Sequence, residues 1–465
     1  MRISFVPVAV FVTAGCAVHP LDVAPHGVDA VPAQWTEAAP AGTAASAQWW
    51  RVFDDPLLIE LVMDARSAST DVAIARANLR QARAARDEAA SALAPALSLG
   101  VSAQRSALAG GKGRDSFQVG VDAGWEADLF GGTRHGVAAQ DALLRADADT
   151  LAAVQVAIEA EVALAYVDLR SAQVRARIAR DNLASQEDTL SISRWRAQAG
   201  LASSIDVEQA LGAAEQTRAT IPALEAAAAQ SAHAIAVLTG RAPGALRERL
   251  ASGAAMPAAR EVAFVVPPAQ ALRQRADVRA AEEKLAAAAE RVAAADAARM
   301  PSLQLAASAA WSGLTLGSIA EVSAARSLLA SLSAPLFDAG RLKAQLAGRE
   351  AEFEAAYETY RASVLGALQE VEDALVALSS ARERLAALRT SAQAARNAEL
   401  LASQRYAGGV IDFQTVLDTQ RTLLGVQGSV AAAQADLAAA HVRLYKAMGG
   451  GWRESESKLA SKAAS

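Results

Sequence analysis

The 465-residue chain is 52% hydrophobic but only 5% aromatic, 20% charged, and carries a formal net charge of −5. Apolar content slightly above the usual ~45–50% with so few aromatics means small residues, alanine above all, which suits long close-packed helices rather than aromatic-lined pockets. The near-even charge balance offers no basic footprint for nucleic acid, and one cysteine excludes an intrachain disulfide framework or a cysteine-based zinc cluster.

The five histidines (His19, His26, His135, His233, His441) fall in no metal-ligand spacing. No 18 consecutive residues are strongly apolar, so no transmembrane helix is expected.

At the start, Arg2 precedes the apolar stretch from Phe5 to Val12, followed by Thr13-Ala14-Gly15-Cys16. A positive start, a short apolar stretch and small residues before a cut site read as an export signal over 1–15. Cys16 stands where a lipoprotein signal needs its acylated residue, and Ala14-Gly15 suits a peptidase that cuts just before it. Thr13 occupies a position that usually carries Leu; an ordinary signal with an incidental cysteine is the alternative. Several acyl chains would hold the N-terminus firmly to a membrane. Ala17, rather than Asp, after the cysteine favours the outer membrane.

The rest is an internal duplication. Asp71-Val72, Ala75, Leu79, Ala82, Pro95, Leu97 and Leu99 recur 206 positions later as Asp277-Val278, Ala281, Leu285, Ala288, Pro301, Leu303 and Leu305. Phe130 and Arg134 recur as Phe337 and Arg341 at offset 207. Glu161-Val162, Gly200 and Val207 recur as Glu370-Val371, Gly409 and Val416 at offset 209. Two similar halves imply pseudo-symmetry about an axis.

Each half reads helix, strand pair, very long helix, shorter helix. Over 56–94, Leu57, Leu61, Ala65, Ala68, Val72, Ala75 and Leu79 recur at threes and fours, predicting an amphipathic helix ended by Pro95. The period then changes to two. Leu97, Leu99, Val101 and Ala103 alternate with polar or small residues. After the loop Gly110-Gly111-Lys112-Gly113, so do Phe117, Val119, Val121, Ala123 and Trp125. Leu303 to Trp311 repeats the alternation, and Leu328 to Ala334 does so less cleanly.

Strands of about ten residues match a tilted membrane-spanning strand. Asp122 and Glu126 share the polar face, where a water-filled lumen would hold them, while Trp125 and Trp311 lie on the apolar face near strand ends. Ordinary surface hairpins on a soluble core are the alternative. Four strands cannot close a barrel, and open edges are not tolerated in lipid, so spanning would require several chains to share one barrel.

From about Val137 to Gln198, and from Arg341 to Ala407, no proline interrupts a run of helix formers. At ~1.5 Å per residue these are helices of roughly 90–100 Å. Val364, Leu368, Val371, Leu375, Leu378 and Leu385 give a heptad seam interrupted by Arg382; a cytosolic coiled coil is the bland reading of this pattern. Turns at Gly200-Leu201-Ala202-Ser203-Ser204 and Gly408-Gly409-Val410-Ile411 send each long helix into a shorter one, about 205–239 and 411–447. Residues 241–270, rich in Pro and Gly, read as an irregular linker, and 449–465 as a tail.

Six motifs then resemble the TolC-type outer membrane factors of tripartite efflux systems, in the NodT-like lipoprotein branch. They are Trp49-Trp50-x-x-Phe53-x-Asp55-Pro56-x-Leu58, Trp125-x-x-Asp128-Leu129-Phe130-Gly131, Arg275-x-Asp277-Val278-x-x-x-Glu282, Pro335-Leu336-Phe337-Asp338-x-Gly340-Arg341, Arg405-Tyr406-x-x-Gly409 and Leu444-Tyr445-x-x-Met448-Gly449-Gly450-Gly451-Trp452.

The resemblance implies an α+β membrane protein. It would be a homotrimer whose twelve strands form an outer-membrane β-barrel, continued by a periplasmic α-helical barrel of twelve helices. It implies the order 16–55 anchor and equatorial segment, 56–240 first repeat (strand pair 96–127), 241–270 linker, 271–448 second repeat (strand pair 302–336) and 449–465 tail. The expected function is a passive conduit for small molecules, partnered by a periplasmic membrane-fusion adaptor and an inner-membrane pump of the RND type, in outer-membrane lipid. No cofactor is implied and no enzyme: phosphate loop, nucleophile elbow and paired metal motifs are missing from the sequence. A periplasmic coiled-coil scaffold lipoprotein without a pore is the alternative.

By the same resemblance Cys16 is lipidated. Gly200, Leu201, Ser204, Asp206, Gly409, Val410 and Asp412 form the adaptor-contacting tips, the glycines serving equally as turn formers. Gln414, Asp418 and Arg421 line a constriction, where a ring of carboxylates would favour cations; a solvated helix charge is the plain reading of Asp418. Gln414 stands where relatives often carry a bulky apolar plug.

Overall fold

The computed structural model describes residues 31–36, 48–106, 114–251, 255–259, 266–313 and 323–450. The export signal, Cys16, the Gly110–Gly113 loop, Gly451-Trp452 and the rest of the tail lie outside the described residues.

A 3-10 turn at Trp49–Phe53 leads into α1 (Pro56–Ala68) and α2 (Thr70–Ser91), then β1 (Ala96–Ser106), β2 (Arg114–Ala127), α3 (Gly132–Gln198) and α4 (Ser204–Leu238). A short α5 (Arg247–Ala251) precedes α6 (Pro268–Gln274) and α7 (Ala276–Ala297). The second half closes with β3 (Ser302–Gly313), β4 (Ser323–Ser333), α8 (Arg341–Ala407) and α9 (Phe413–Ala447). The halves match in length: α2 and α7 have 22 residues each, α3 and α8 have 67, and α4 and α9 have 35.

The chain divides into two compact units, the first from 77–148 with 279–362 and the second from 31–76, 149–278 and 363–450, counting described residues. In the first, the strands form one antiparallel sheet in the order β1-β2-β3-β4. Register aligns residues of like character in most rows; β4 is the exception, placing Arg326 in the row of Leu99, Val121 and Ala309 and Leu329 in the row of Gly124 and Ala306. One face carries the rows Ser98–Asp122–Ser308–Ser327 and Ser102–Gln118–Ser312–Ser323. The other carries Leu97–Ala123–Ala307–Leu328 and Val101–Val119–Trp311–Ala324. A serine ladder reinforces the polar rows: the hydroxyls of Ser308 and Ser327 lie 2.8 Å or closer, at 2.7 Å, and those of Ser312 and Ser323 at 2.8 Å. Beyond the last strand turn, ion pairs tie helix to helix: Arg86 to Asp141 (2.8 Å), Arg145 to Glu283 (2.9 Å) and His135 to Glu290 (2.6 Å).

The second unit holds the largest core. Trp49, Trp50 and Phe53 are buried with Leu58, Leu61 and Val62 of α1, Tyr166 of α3 and Ile235 of α4. Trp49 stacks on Tyr445 with ring centres 5.5 Å apart. Asp55 performs two tasks. Its Oδ1 caps α1 by accepting from the backbone N–H groups of Leu57 and Leu58, and its Oδ2 accepts the Tyr166 hydroxyl at 2.7 Å. Burial, with the Asp55 bond and against Arg170, pushes the Tyr166 hydroxyl up to about 12.

The helix expected over 56–94 is two helices. The chain breaks at Ser69, whose φ −59 and ψ 136 leave the helical region, although the apolar period continues across it. Arg275, at the equivalent place, breaks α6 from α7 with φ −77 and ψ 121. Each break receives the end of a shorter helix. Gly240, just past α4, has φ +69, and a Cβ there would lie 2.2 Å from the Ala68 carbonyl oxygen. Gly449, just past α9, has φ +87, and its Cβ would lie 2.9 Å from the Gln274 carbonyl oxygen. Glycine is required at both for close approach and for backbone conformation. Gly449 and Gly450 are therefore packed, not part of a loose tail, and the 241–270 segment contains α5 and the start of α6 rather than irregular chain alone.

On mean hydropathy, α3 and α4 hold 18-residue windows of 1.5 and 1.3, long and apolar enough by composition to cross a membrane. Alanine supplies much of that apolar character, so neither helix contains the uninterrupted run of large apolar residues sought in the sequence.

Candidate functional site

The two helix-to-helix turns of the second unit are built alike. At the end of α3, Leu201 N–H donates to the Arg196 carbonyl (2.7 Å) and Gly200 N–H to that of Ala197 (3.0 Å). At the end of α8, Val410 N–H donates to the Arg405 carbonyl (2.9 Å) and Gly409 N–H to that of Tyr406 (2.9 Å). Gly200 and Gly409 both have φ +71. This is the paired-bond helix stop that glycine makes possible.

Each turn then caps the next helix. Ser203, beside the tip residue Ser204, accepts from Asp206 N–H while Asp206 accepts from Ser203 N–H, a reciprocal capping box. Asp412 accepts both the N–H (2.8 Å) and the hydroxyl (2.6 Å) of Thr415. The Thr415 hydroxyl and N–H hold the Asp412 carboxyl below the usual carboxylate range.

The tips project apolar side chains into solvent. Leu201 is 72% and Val410 73% exposed, and Trp195 and Ile205 are exposed beside them. Beneath, a small core of Leu190, Ala210, Ala213, Phe413 and Leu417 joins the two hairpins. Arg196 crosses between them: its guanidinium lies 4.6 Å from the Tyr406 ring centre and donates to the Tyr406 carbonyl at 3.3 Å. Tyr406 in turn packs on Phe413, with ring centres 5.3 Å apart. Arg196 and Phe413 were not singled out in the sequence; a pairing 210 residues apart leaves no local signal there.

Gln414, Asp418 and Arg421, four and three residues apart, come together on one exposed face of α9. Gln414 Nε2 donates to Asp418 Oδ1 at 3.0 Å, and Arg421 Nη1 reaches the same oxygen at 3.5 Å. An exposed pair of this type is worth about 0.3–0.5 kcal/mol. It positions the carboxylate more than it stabilises the helix. Asp122 and Glu126 lie on the exposed polar face of β2, with Asp122 opposite Ser98 and Ser308 and Glu126 opposite Gln304. Among the described residues no group of three or more His, Cys, Asp or Glu could hold a metal ion.

A sheet with opposite polar and apolar faces, long paired helices and apolar hairpin tips have counterparts among known proteins. A family model described as outer membrane efflux protein matches residues 61–241 and 268–450, one match per half. The chain is 34% identical over 443 residues to the pyoverdine export outer membrane protein OpmQ of Pseudomonas putida, covering 91% of this chain and 93% of that one. It is 30% identical to nodulation protein T of Rhizobium leguminosarum bv. trifolii, covering 94% and 95%. The solved structure of the outer-membrane channel OprN superposes with a TM-score of 0.85 at 33% identity, covering 91% of this chain and 98% of that chain. These are channel and transport proteins rather than enzymes, and they favour a channel over a pore-less scaffold. Matched over both of its halves, the chain belongs to the outer membrane efflux protein family and is an outer-membrane channel component of an efflux system.

Proposed function

We propose that three copies of the chain form one conduit, each giving four strands to a twelve-stranded barrel and four helical staves to a periplasmic helical barrel. The observation that carries this reading is the sheet itself. Among the described residues its β1 and β4 edges have no partner strand in the sheet order, most of its rows are polar on one face and apolar on the other, and a membrane-spanning sheet must close. Pairing β4 of one copy with β1 of the next satisfies both edges and turns Asp122 and Glu126 into the lumen.

The exposed tips around Leu201 and Val410 are the docking surface for a periplasmic adaptor, which joins the conduit to an inner-membrane pump. Asp418 and its two copies form a carboxylate ring near the periplasmic mouth, with Gln414 and Arg421 fixing its side chain. Cys16 carries the lipid anchor, an addition to the barrel rather than a substitute for it.

Native mass spectrometry and planar-bilayer recording of the Cys16→Ser protein, exported with a cleavable signal, test this. The expected result is a detergent-requiring trimer that conducts ions. A soluble periplasmic monomer without conductance would overturn it in favour of the scaffold.

A further inference from the structure

About one helical turn from Leu190 and Leu417 of the tip core, α3, α8 and α9 surround a cavity of about 240 Å³. Its lining is rich in oxygen acceptors. Gln186 of α3 and Gln420 of α9 are 4% and 5% exposed, and among the described residues the side-chain oxygen of each is buried without a hydrogen-bond partner. Asp181 of α3, exposed, and Glu399 of α8, half-buried, add two carboxylates. Glu399 accepts the Ser403 hydroxyl at 2.9 Å on one oxygen only. No lysine, arginine or histidine among the described residues lines the cavity. Arg180 and Arg421, adjacent in sequence to Asp181 and Gln420, pair with Glu225 and Asp418 instead.

The duplicated frame does not require polarity here. At the offset of 209, Gln186, Glu399 and Gln420 correspond to Ala395, Leu190 and Leu211. Ala395 and Leu190 are buried, and Leu211 packs against the tip core. Apolar side chains serve in those places, so buried amide oxygens cost stability unless something meets them. Water would serve the amides but does not account for two carboxylates gathered beside them. Oxygen donors without cysteine or histidine select a hard cation. Calcium takes carboxylate and amide oxygens together in flexible geometry and fills its other positions with water, whereas magnesium gives up its waters reluctantly. The cavity has room for such an ion with part of its hydration shell.

We propose that this cavity binds calcium, with Asp181 and Glu399 supplying the charge and the Gln186 and Gln420 oxygens the buried ligands. The ion pins the first half's long helix to both helices of the second-half hairpin. Asn182 braces the wall, its Nδ2 donating to the Ile178 carbonyl and to Gln427 Oε1 at 2.8 Å each. The site needs the helices of one chain only, so it stands apart from the trimer.

The test uses the full chain in detergent on an Asp418→Asn background, which removes the carboxylate of the proposed ring. After chelator treatment and removal of the chelator, equilibrium dialysis with radiolabelled calcium counts bound ions. Thermal melts are taken in calcium, magnesium and sodium chloride at matched ionic strength. The expected result is about one site per chain, about tenfold or more tighter for calcium than for magnesium, and a melting temperature raised most by calcium. Gln186→Leu/Gln420→Leu, which fills the cavity with apolar side chains, should lose the site and melt alike in all three salts. Asp181→Asn/Glu399→Gln, which keeps side-chain size, should weaken binding about tenfold or more, since ligand charge sets calcium affinity.

Equal melts of the unaltered cavity in the three salts overturn the proposal in favour of water alone. Calcium binding that survives the leucine pair unchanged overturns it in favour of a site elsewhere. Should the leucine pair not fold, the Asp181→Asn/Glu399→Gln pair decides alone.

Discussion

Asn182 on α3 donates its Nδ2 to Gln427 Oε1 on α9 at 2.8 Å, joining the first half's long helix to the second half's short one. About two turns nearer the tips, Gln420 Nε2 donates to Thr189 Oγ1 at 3.0 Å. At the offset of 209 the counterparts of Gln420 and Thr189 are Leu211 on α4 and Ala398 on α8, so the Gln420–Thr189 bond between α9 and α3 has no equivalent between α4 and α8. Asn182→Ala strips a partner from the half-buried Gln427 and should cost about 0.5–1.5 kcal/mol. Replacing both residues by leucine should recover much of that loss, since no polar group is then left unpaired. Hydrogen exchange of 182–198 and 413–430 measures it; equal protection in the wild type and Asn182→Ala would refute the coupling.

Gly240→Ala places a methyl against the Ala68 carbonyl and forces alanine to a positive φ. Relief requires α4 to draw back from the α1–α2 break. The expected loss is roughly 2–4 kcal/mol, in the range of backbone-strain and overpacking changes. Thermal melts of the purified protein would show it, with Gly244→Ala, where nothing lies within 4 Å, separating the cost of positive φ from that of the clash.

On the proposed trimer, removing the carboxylate in Asp418→Ala should raise single-channel conductance and weaken cation preference, since the proposed ring charge and its tether to Gln414 and Arg421 would be lost together. Asp418→Asn keeps the size and the Gln414 contact, so it should change selectivity more than conductance. Bilayer recordings with both variants indistinguishable from the wild type would remove the constriction from this face of α9.

Acid should loosen the second break. Burial alone would raise the Asp277 carboxyl. Arg275, bonded to both of its oxygens at 3.0 and 2.6 Å, together with the Val278 N–H, outweighs burial and holds it below the usual carboxylate range. A depressed carboxylate contributes stability that is complete above its unfolded pKa of about 4 and is lost as pH falls through the lower folded value. Below about pH 4 the Arg275 clamp, which also reaches Glu370 and the Ala447 carbonyl, should slacken. Asp277→Asn should be less stable at neutral pH and show a flatter stability profile on acidification. An acid profile parallel to the wild type's would contradict the assignment.

What could be foreseen from sequence follows the range of the interactions. Strand parity, the Pro95 and Pro301 stops and the glycines of the two tips are local signals, and each element they predict is present. The breaks at Ser69 and Arg275 were invisible because the apolar period runs straight through them. What packs against the chain there is Gly240 and Gly449, more than 170 residues away in each case. The Asp55–Tyr166 bond and the Arg196–Tyr406 stack are equally remote in sequence.

The pairwise equality of helix lengths acts as a ruler. An insertion of one heptad into α3 alone would leave its turn out of step with that of α8 and break the Arg196–Tyr406 bridge. A change in the reach of the proposed duct therefore demands matched edits in both halves of the gene, an evolutionary lock on stature that leaves the surface residues of the tips free to vary.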